Sequence, residues 1–220
     1  MSLKRVLALS LLLPGLWLTT PAMAEPRPAH ETLQEATDEL LERLEADEKR
    51  FREDSEALQD LVDEQLVPLI DFEVSSQWVL GRHWRGLDGD QQEAFQEEFK
   101  RMLMRFYADA LLEYDAWDLR FDDMRRDNPD KPFASVRAQA EPDEGKPVDV
   151  RFRLILRNGE WRIFDVSIAG VSAVKNYRST FGQVLARNDF STLIDQMRDM
   201  DPEDDPVMKA TSEEMEDEEE

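Results

Sequence analysis

The sequence predicts an α+β domain: a four-stranded, twisted antiparallel sheet with amphipathic helices packed on its concave face. Three observations predict it. Apolar residues recur at three- and four-residue steps from His30 to Asp71, and again from Asp88 to Leu111. Between Trp117 and Ile168 the period changes to two, and turn residues interrupt it. Helical spacing returns from Val171 to Met197. Helices and strands that segregate along a chain, rather than alternating, are the pattern of an α+β fold.

The first helical stretch carries Leu33, Leu40, Leu41, Leu44, Phe51, Leu58, Leu61, Val62 and Leu66, with charged residues in the gaps. These are amphipathic surface helices. His30 stands in a Pro-rich start that is expected to fray, and Pro68 ends or bends the second of these helices. Asp71 is placed to cap a short helix with Phe72, Val74, Trp78, Val79 and Leu80, which stops at Gly81. His83 falls in the turn that follows. Asp88 or Asp90 starts the longest helix. Its apolar stripe holds Phe95, Phe99, Met102, Leu103, Phe106, Tyr107, Ala110 and Leu111, and Glu93, Gln96, Glu97, Lys100, Arg101 and Arg105 fill the other face. A stripe this rich in aromatics is either an ordinary core face or the wall of an adaptable apolar cavity.

The strands follow. Trp117, Leu119 and Phe121 alternate with charged residues, and Phe133 to Ala140 is a weaker strand. Pro142 to Gly145 reads as a turn. Val148, Val150, Phe152, Leu154 and Leu156 alternate with Asp149, Arg151, Arg153, Ile155 and Arg157, the cleanest period-two run in the chain. Asn158-Gly159 marks a tight hairpin, and Trp161 to Ile168 returns. Four antiparallel strands with one apolar face need helices to cover them. Gly170 lets the chain turn, and a helix from Val171 to Ala186 carries Val174, Tyr177 and Phe181 on one stripe. Asn188 or Asp189 caps a last helix with Phe190, Leu193, Ile194 and Met197. Beyond Asp199 the chain is dominated by Asp and Glu and is expected to be a disordered, solubilising tail.

The N-terminus reads as an export signal. Lys4 and Arg5 precede an apolar run from Val6 to Leu13, and Ala22-Met23-Ala24 is a cleavage site. The apolar run is broken by Pro14-Gly15, so it is shorter than the ~20 residues of a spanning helix. The organisation is then residues 1–24 as signal peptide, 25–199 as one domain, and 200–220 as acidic tail.

Composition excludes several function classes. The absence of Cys removes disulfides, thiol catalysis and Cys metal sites. A net charge of −23 argues against binding nucleic acid or an anionic membrane by charge. The two His, His30 and His83, do not form a metal spacing. Ser167 and Ser172 flank Gly170 without a nucleophile elbow, and no Gly-rich phosphate loop is present. No catalytic residue, metal or cofactor is expected; the chain reads as a binding protein, not an enzyme.

Three segments carry a resemblance. They are Asp71-Phe72 leading to Val79-Leu80-Gly81-Arg82-His83-Trp84-Arg85; Gln92, Phe95, Phe99, Leu103 and Tyr107; and Asp165 to Phe181 followed by Phe190 and Leu193-Ile194. In this order, behind a signal peptide, they resemble the MlaC family, the toluene-tolerance auxiliary component of a lipid ABC transport system. The likeness spans about Glu31 to Asp199 and leaves the acidic extension outside. It implies a periplasmic phospholipid carrier with lipid as cargo. Such a carrier moves lipid between an outer-membrane lipoprotein–porin complex and an inner-membrane ABC transporter with its solute-binding subunit, maintaining outer-membrane lipid asymmetry. The implied fold is a sheet and helices enclosing an apolar tunnel, like the cone of nuclear transport factor two.

Two acyl chains of about 16 carbons cost on the order of 25 kcal/mol to expose to water, at about 0.8 kcal/mol per methylene. A carrier must therefore offer a dry lining. The candidates are Val74, Trp78, Phe99, Met102, Leu103, Phe106, Tyr107, Val150, Phe152, Leu154, Phe164, Val166, Val171, Val174, Tyr177 and Phe181. At every one a filled core competes, because a domain of this size needs about this many apolar residues to fold. Arg151, Arg153 and Arg157 form a basic row on the solvent side of the sheet, expected to pair with carboxylates or to serve as a docking or phosphate contact, and Arg178 is a similar candidate. A carrier of a different apolar ligand, such as a hopanoid or hydrocarbon, and an adaptor with a filled core are the other readings.

Overall fold

The computed structural model describes residues 26–108, 118–126, 128, 130–141 and 146–217. The expected signal peptide, the ends of the long stripe at Ala110 and Leu111, Trp117, and the turn at Pro142 to Gly145 lie outside the described residues.

Helix α1 spans Ala29–Ala46, α2 Glu48–Glu53 and α3 Ser55–Gln65. Asp54 starts α3 by accepting from the backbone N–H groups of Glu56 and Ala57, both at 3.1 Å. The start of α1 is tied down rather than frayed. His30 Nδ1 accepts from the Met124 backbone N–H at 3.1 Å, and the Ala29 N–H donates to Met124 Sδ at 3.4 Å. Pro68 sits in a 3-10 turn, Val67–Leu69. Asp71 caps α4, Phe72–Leu80, by accepting from the Val74 N–H at 2.9 Å. Gly81–Gly86 is a 3-10 turn that includes His83. Helix α5, Gly89–Tyr107, opens on a reciprocal capping box between Asp88 and Gln91.

The sheet has five strands, not four, in the order β1-β2-β3-β4-β5: Asp118–Phe121, Phe133–Glu141, Val148–Arg157, Glu160–Ile168 and Val171–Ser172. All neighbours are antiparallel. Asn158 and Gly159 both have positive φ, 54° and 86°, which the tight β3–β4 turn requires. The fifth strand arises because Ala169 and Gly170 also adopt positive φ, 47° and 84°. The chain folds back in two residues, and Val171–Ser172 pairs with β4 before α6, Ala173–Leu185, begins. Val171 is therefore a strand residue, where helical spacing predicted a helix. Periodicity cannot register a strand of two residues.

Helix α7 is Phe190–Asp199, capped by Asp189. The acidic extension is a correction to the sequence reading. Pro202–Asp204 is a 3-10 turn and Pro206–Asp217 is a helix, α8. Asp205, Val207 and Thr211 are buried. Lys209, Glu213 and Glu214 stand exposed on α8 while Asp205 is buried at its start, so high charge density does not mean disorder here.

Buried residues form three clusters. One lies among α4 to α8 and centres on Phe95, Phe99, Tyr177, Phe181 and Leu193. A second joins α1, α2 and α3 to the end of α5 through Leu40, Phe51, Leu58, Leu61 and Ala108. The third is the apolar face of the sheet, on which Ala29 and Leu33 of α1 pack.

Candidate functional site

The strand register sets which side chains share a sheet face. Val136 pairs with Phe152 and Phe152 with Val166; Ala138 pairs with Phe121 and Val150, and Val150 with Ile168. Side chains alternate across a strand, so these residues all stand on the face that meets α1. The small residues Ala134, Ala138 and Ala140 on β2 are buried, whereas Phe121, Val150, Phe152 and Val166 are only half-buried. Phe121 and Phe152 meet with ring centroids 5.8 Å apart. Leu69 and Leu33 approach this face from the helical side. Helix α5 turns elsewhere and packs on α4 and α7. An apolar sheet face is thus left with its central side chains incompletely covered by the described residues.

The sequence-predicted lining residues separate into three places. Val150, Phe152, Leu154 and Val166 share the apolar sheet face. Phe99, Met102, Val174, Tyr177 and Phe181 are fully buried among the helices. Phe99 meets Tyr177 edge-on at 5.4 Å, and Tyr177 stacks on Phe181 at 5.5 Å. Leu103, Phe106 and Val171 pack half-buried at the rim of that cluster, and Val74 is buried on α4. Trp78 and Phe164 stand on the opposite sheet face. A bulge between Arg153 and Leu154 places Asp165 across from Arg153 and Ile163 across from Leu154, which leaves Phe164 as the extra residue. Phe164 stacks on Trp78 and meets Phe133 edge-on, both at 5.8 Å, and the Arg153 guanidinium lies 4.7 Å from its centre.

Carboxylates hold these parts together. Asp165 is buried on β4 and reaches the start of α6. It accepts from Ser172 Oγ at 2.8 and 3.0 Å and from the Val174 N–H at 3.0 Å, and it pairs with Arg153 at 3.3 Å. A carboxylate at a helix N-terminus meets unpaired N–H groups and the positive end of the helix dipole. Asp71 and Glu73 pair with Arg157 at 3.0 and 2.9 Å and push its guanidinium pKa further up, Glu73 contributing most. Two members of the basic row, Arg153 and Arg157, therefore have carboxylate partners. Glu98, buried on α5, bonds Arg198 of α7 at 3.0 Å and Arg101.

The α8 segment is joined to the helical cluster by a group that spacing did not reveal. The Asp205 carboxylate accepts from Tyr177 Oη at 2.8 Å, from the Val207 N–H at 3.1 Å and from Tyr107 Oη. The two phenol oxygens lie 3.3 Å apart. Burial pushes the Tyr177 pKa up, and the nearby Tyr107 and Asp205 add to it. The available signal was Asp205-Pro206, a capping residue before a Pro, with Val207 and Thr211 one turn apart.

Among the described residues no group of His, Asp and Glu is arranged to hold a metal ion. No described helix is long and apolar enough to cross a membrane.

Comparison with known proteins decides the family. The MlaC protein family model matches residues 34–199. The chain belongs to the MlaC family. Within it, the toluene tolerance protein ttg2D of Pseudomonas putida is 32% identical over 181 residues, covering 82% of each chain. The intermembrane phospholipid transport system binding protein MlaC of Haemophilus influenzae is 26% identical over 193 residues, covering 86% of this chain and 89% of its own. A phospholipid-binding protein of Ralstonia solanacearum, solved in complex with a phospholipid, superposes with a TM-score of 0.71 at 25% identity. It covers 79% of this chain and 96% of its own. The match to the MlaC model ends where α7 ends, so α8 lies beyond it.

Proposed function

We propose that this MlaC-family chain is a periplasmic phospholipid carrier. The observation that carries the reading is the apolar sheet face of Phe121, Val150, Phe152 and Val166, which the described residues leave half-buried while α5 packs on α4 and α7. A folded domain with only a core to fill would bury its aromatic sheet residues, as this one buries Trp161 and Phe164 on β4. Acyl chains laid on that face would bury both surfaces from water. The phospholipid-bound relative of similar fold supports the choice of ligand. In this reading Phe121, Val150, Phe152 and Val166 contact the acyl chains, and Leu154, buried beside them, belongs to the core beneath. Phe99, Met102, Val174, Tyr177 and Phe181 form the rigid helical wall behind them.

The cargo moves between an outer-membrane lipoprotein–porin complex and an inner-membrane ABC transporter with its solute-binding subunit. Transfer needs no bond making: a partner that stabilises the empty form more than the loaded form shifts the lipid onward. The test is lipid extraction and native mass spectrometry of the mature protein purified from periplasm. Co-purifying diacyl phospholipid at near-stoichiometric load is expected. A hopanoid or hydrocarbon in its place, or a protein that takes up no lipid from phospholipid vesicles, would overturn the assignment.

A further inference from the structure

One groove of about 450 Å³ is chemically unlike the others. Gln77, Trp78, Gly81, Arg82, Trp84, Arg85 and Arg178 line it, at the meeting of α4, the 3-10 turn after it and α6. No carboxylate is among them. Four other grooves among the described residues are each lined by Asp or Glu, as a chain of net charge −23 would lead one to expect. All three arginines are exposed. Arg82 bonds His83 Nε2 at 3.3 Å, and neither it nor Arg85 nor Arg178 makes an ion pair among the described residues.

The groove is also built. Gly81 has φ 54°, and a Cβ there would lie 2.8 Å from Arg178 Nη2. The positive φ favours Gly at this turn, and with no Cβ there the guanidinium of α6 lies against the backbone. Gln92 holds the turn through the carbonyls of Trp84 and Leu87 at 3.1 and 3.3 Å. Trp84 is anchored against the helical cluster, and Trp78 rests on Phe164.

We infer that this groove is a docking site for a carboxylate-rich segment of a protein partner. Arg and Trp are the side chains that concentrate binding energy at protein interfaces. Three guanidiniums with no ion pair among the described residues, on a chain of net charge −23, favour an anionic segment in this groove. A concave groove suits an extended chain better than a flat bilayer. An anionic bilayer would also meet the acidic remainder of the surface within a Debye length of about 8 Å. The inference stands on the groove alone and does not require the carrier reading.

A hexaglutamate peptide titrated into the mature protein at low salt, followed by amide chemical shifts, tests it. Perturbations confined to the groove are expected, together with loss of binding at high salt. The triple variant R82E/R85E/R178E should weaken binding by about tenfold or more, from three exposed charge contacts. Arg187→Glu, exposed and outside the groove, should leave binding unchanged. Circular dichroism checks folding, and R85Q/R178Q replaces the triple variant should that fail to fold. Equal binding by wild type and variant overturns the inference. So does inorganic phosphate displacing the peptide at equal concentration, which would mark a small-anion site. Groove-dependent binding to phosphatidylglycerol vesicles without peptide binding would assign the surface to membrane instead and overturn it too.

Discussion

Replacing Asp205 with Ala should show that the acidic C-terminal segment is part of the fold. The carboxylate is fully buried and takes hydrogen bonds from Tyr177, Tyr107 and the Val207 N–H. Each hydrogen bond to a charged group contributes about 1.5–3 kcal/mol, and a donor left buried without a partner costs about 1–3 kcal/mol. The losses do not simply add. The two phenols, 3.3 Å apart, can turn to each other once the carboxylate is gone, which restores one bond. The expected destabilisation is therefore about 3–4 kcal/mol, a large share of the roughly 5–15 kcal/mol that stabilises a typical domain. Urea unfolding of the mature protein measures it as a lower midpoint at unchanged m value, with Tm lower by about 10 °C. Limited proteolysis should then cut within residues 201–217 of the variant while sparing the wild type. A loss below about 1 kcal/mol, with equal protease resistance, would refute the reasoning, because it would mean that α8 does not share the core's free energy.

Three further outcomes follow from the same structure. Tyr177 has its pKa raised in the fold above its ordinary value of 10.0, so its contribution is complete below pH 10 and is lost as pH rises beyond it. Stability measured against pH should fall from about pH 10 upward, and Tyr177→Phe should flatten that fall; an unchanged alkaline slope would refute the role of this phenol. Phe152→Glu places a charge on the half-buried sheet face and should abolish phospholipid co-purification in a variant that still folds by circular dichroism, whereas full lipid load would remove Phe152 from the lining. Ala169 pays the left-handed cost of about 1–2 kcal/mol for a residue with a Cβ, partly offset by the greater chain entropy lost by Gly. Ala169→Gly should accordingly raise the urea-derived stability by about 0.5–1 kcal/mol, and a decrease would show that the β4–β5 turn is not strained.

Much of the fold was legible because it depends on local chemistry. Asp71 and Asp88 act as helix caps at the positions that their neighbours suggested, and Asn158-Gly159 makes the expected turn. The alternation from Val148 to Leu156 does select one face, and the row of Arg153 and Arg157 does pair with carboxylates. The places that misled are those where the local signal is shorter than its period or is outvoted. Two residues of β5 carry no periodicity. Asp205 is one carboxylate in an acidic run, and nothing in the run distinguishes a buried acid from an exposed one.

The candidate site shows the same division. The apolar pattern determined which residues leave water: Phe99, Leu154, Tyr177 and Phe181 are each buried on the apolar side of their element, because period and polarity are properties of the chain itself. Which of them face one another was decided only by tertiary structure. The β4 bulge put Phe164 on the far side of the sheet, where Trp78 of α4 stacks on it, and the packing of α5 on α4 and α7 closed one aromatic cluster while the described residues leave the sheet face half-covered. These are choices among contacts distant in the chain. Their energies depend on shape and geometry, and a one-dimensional pattern carries neither.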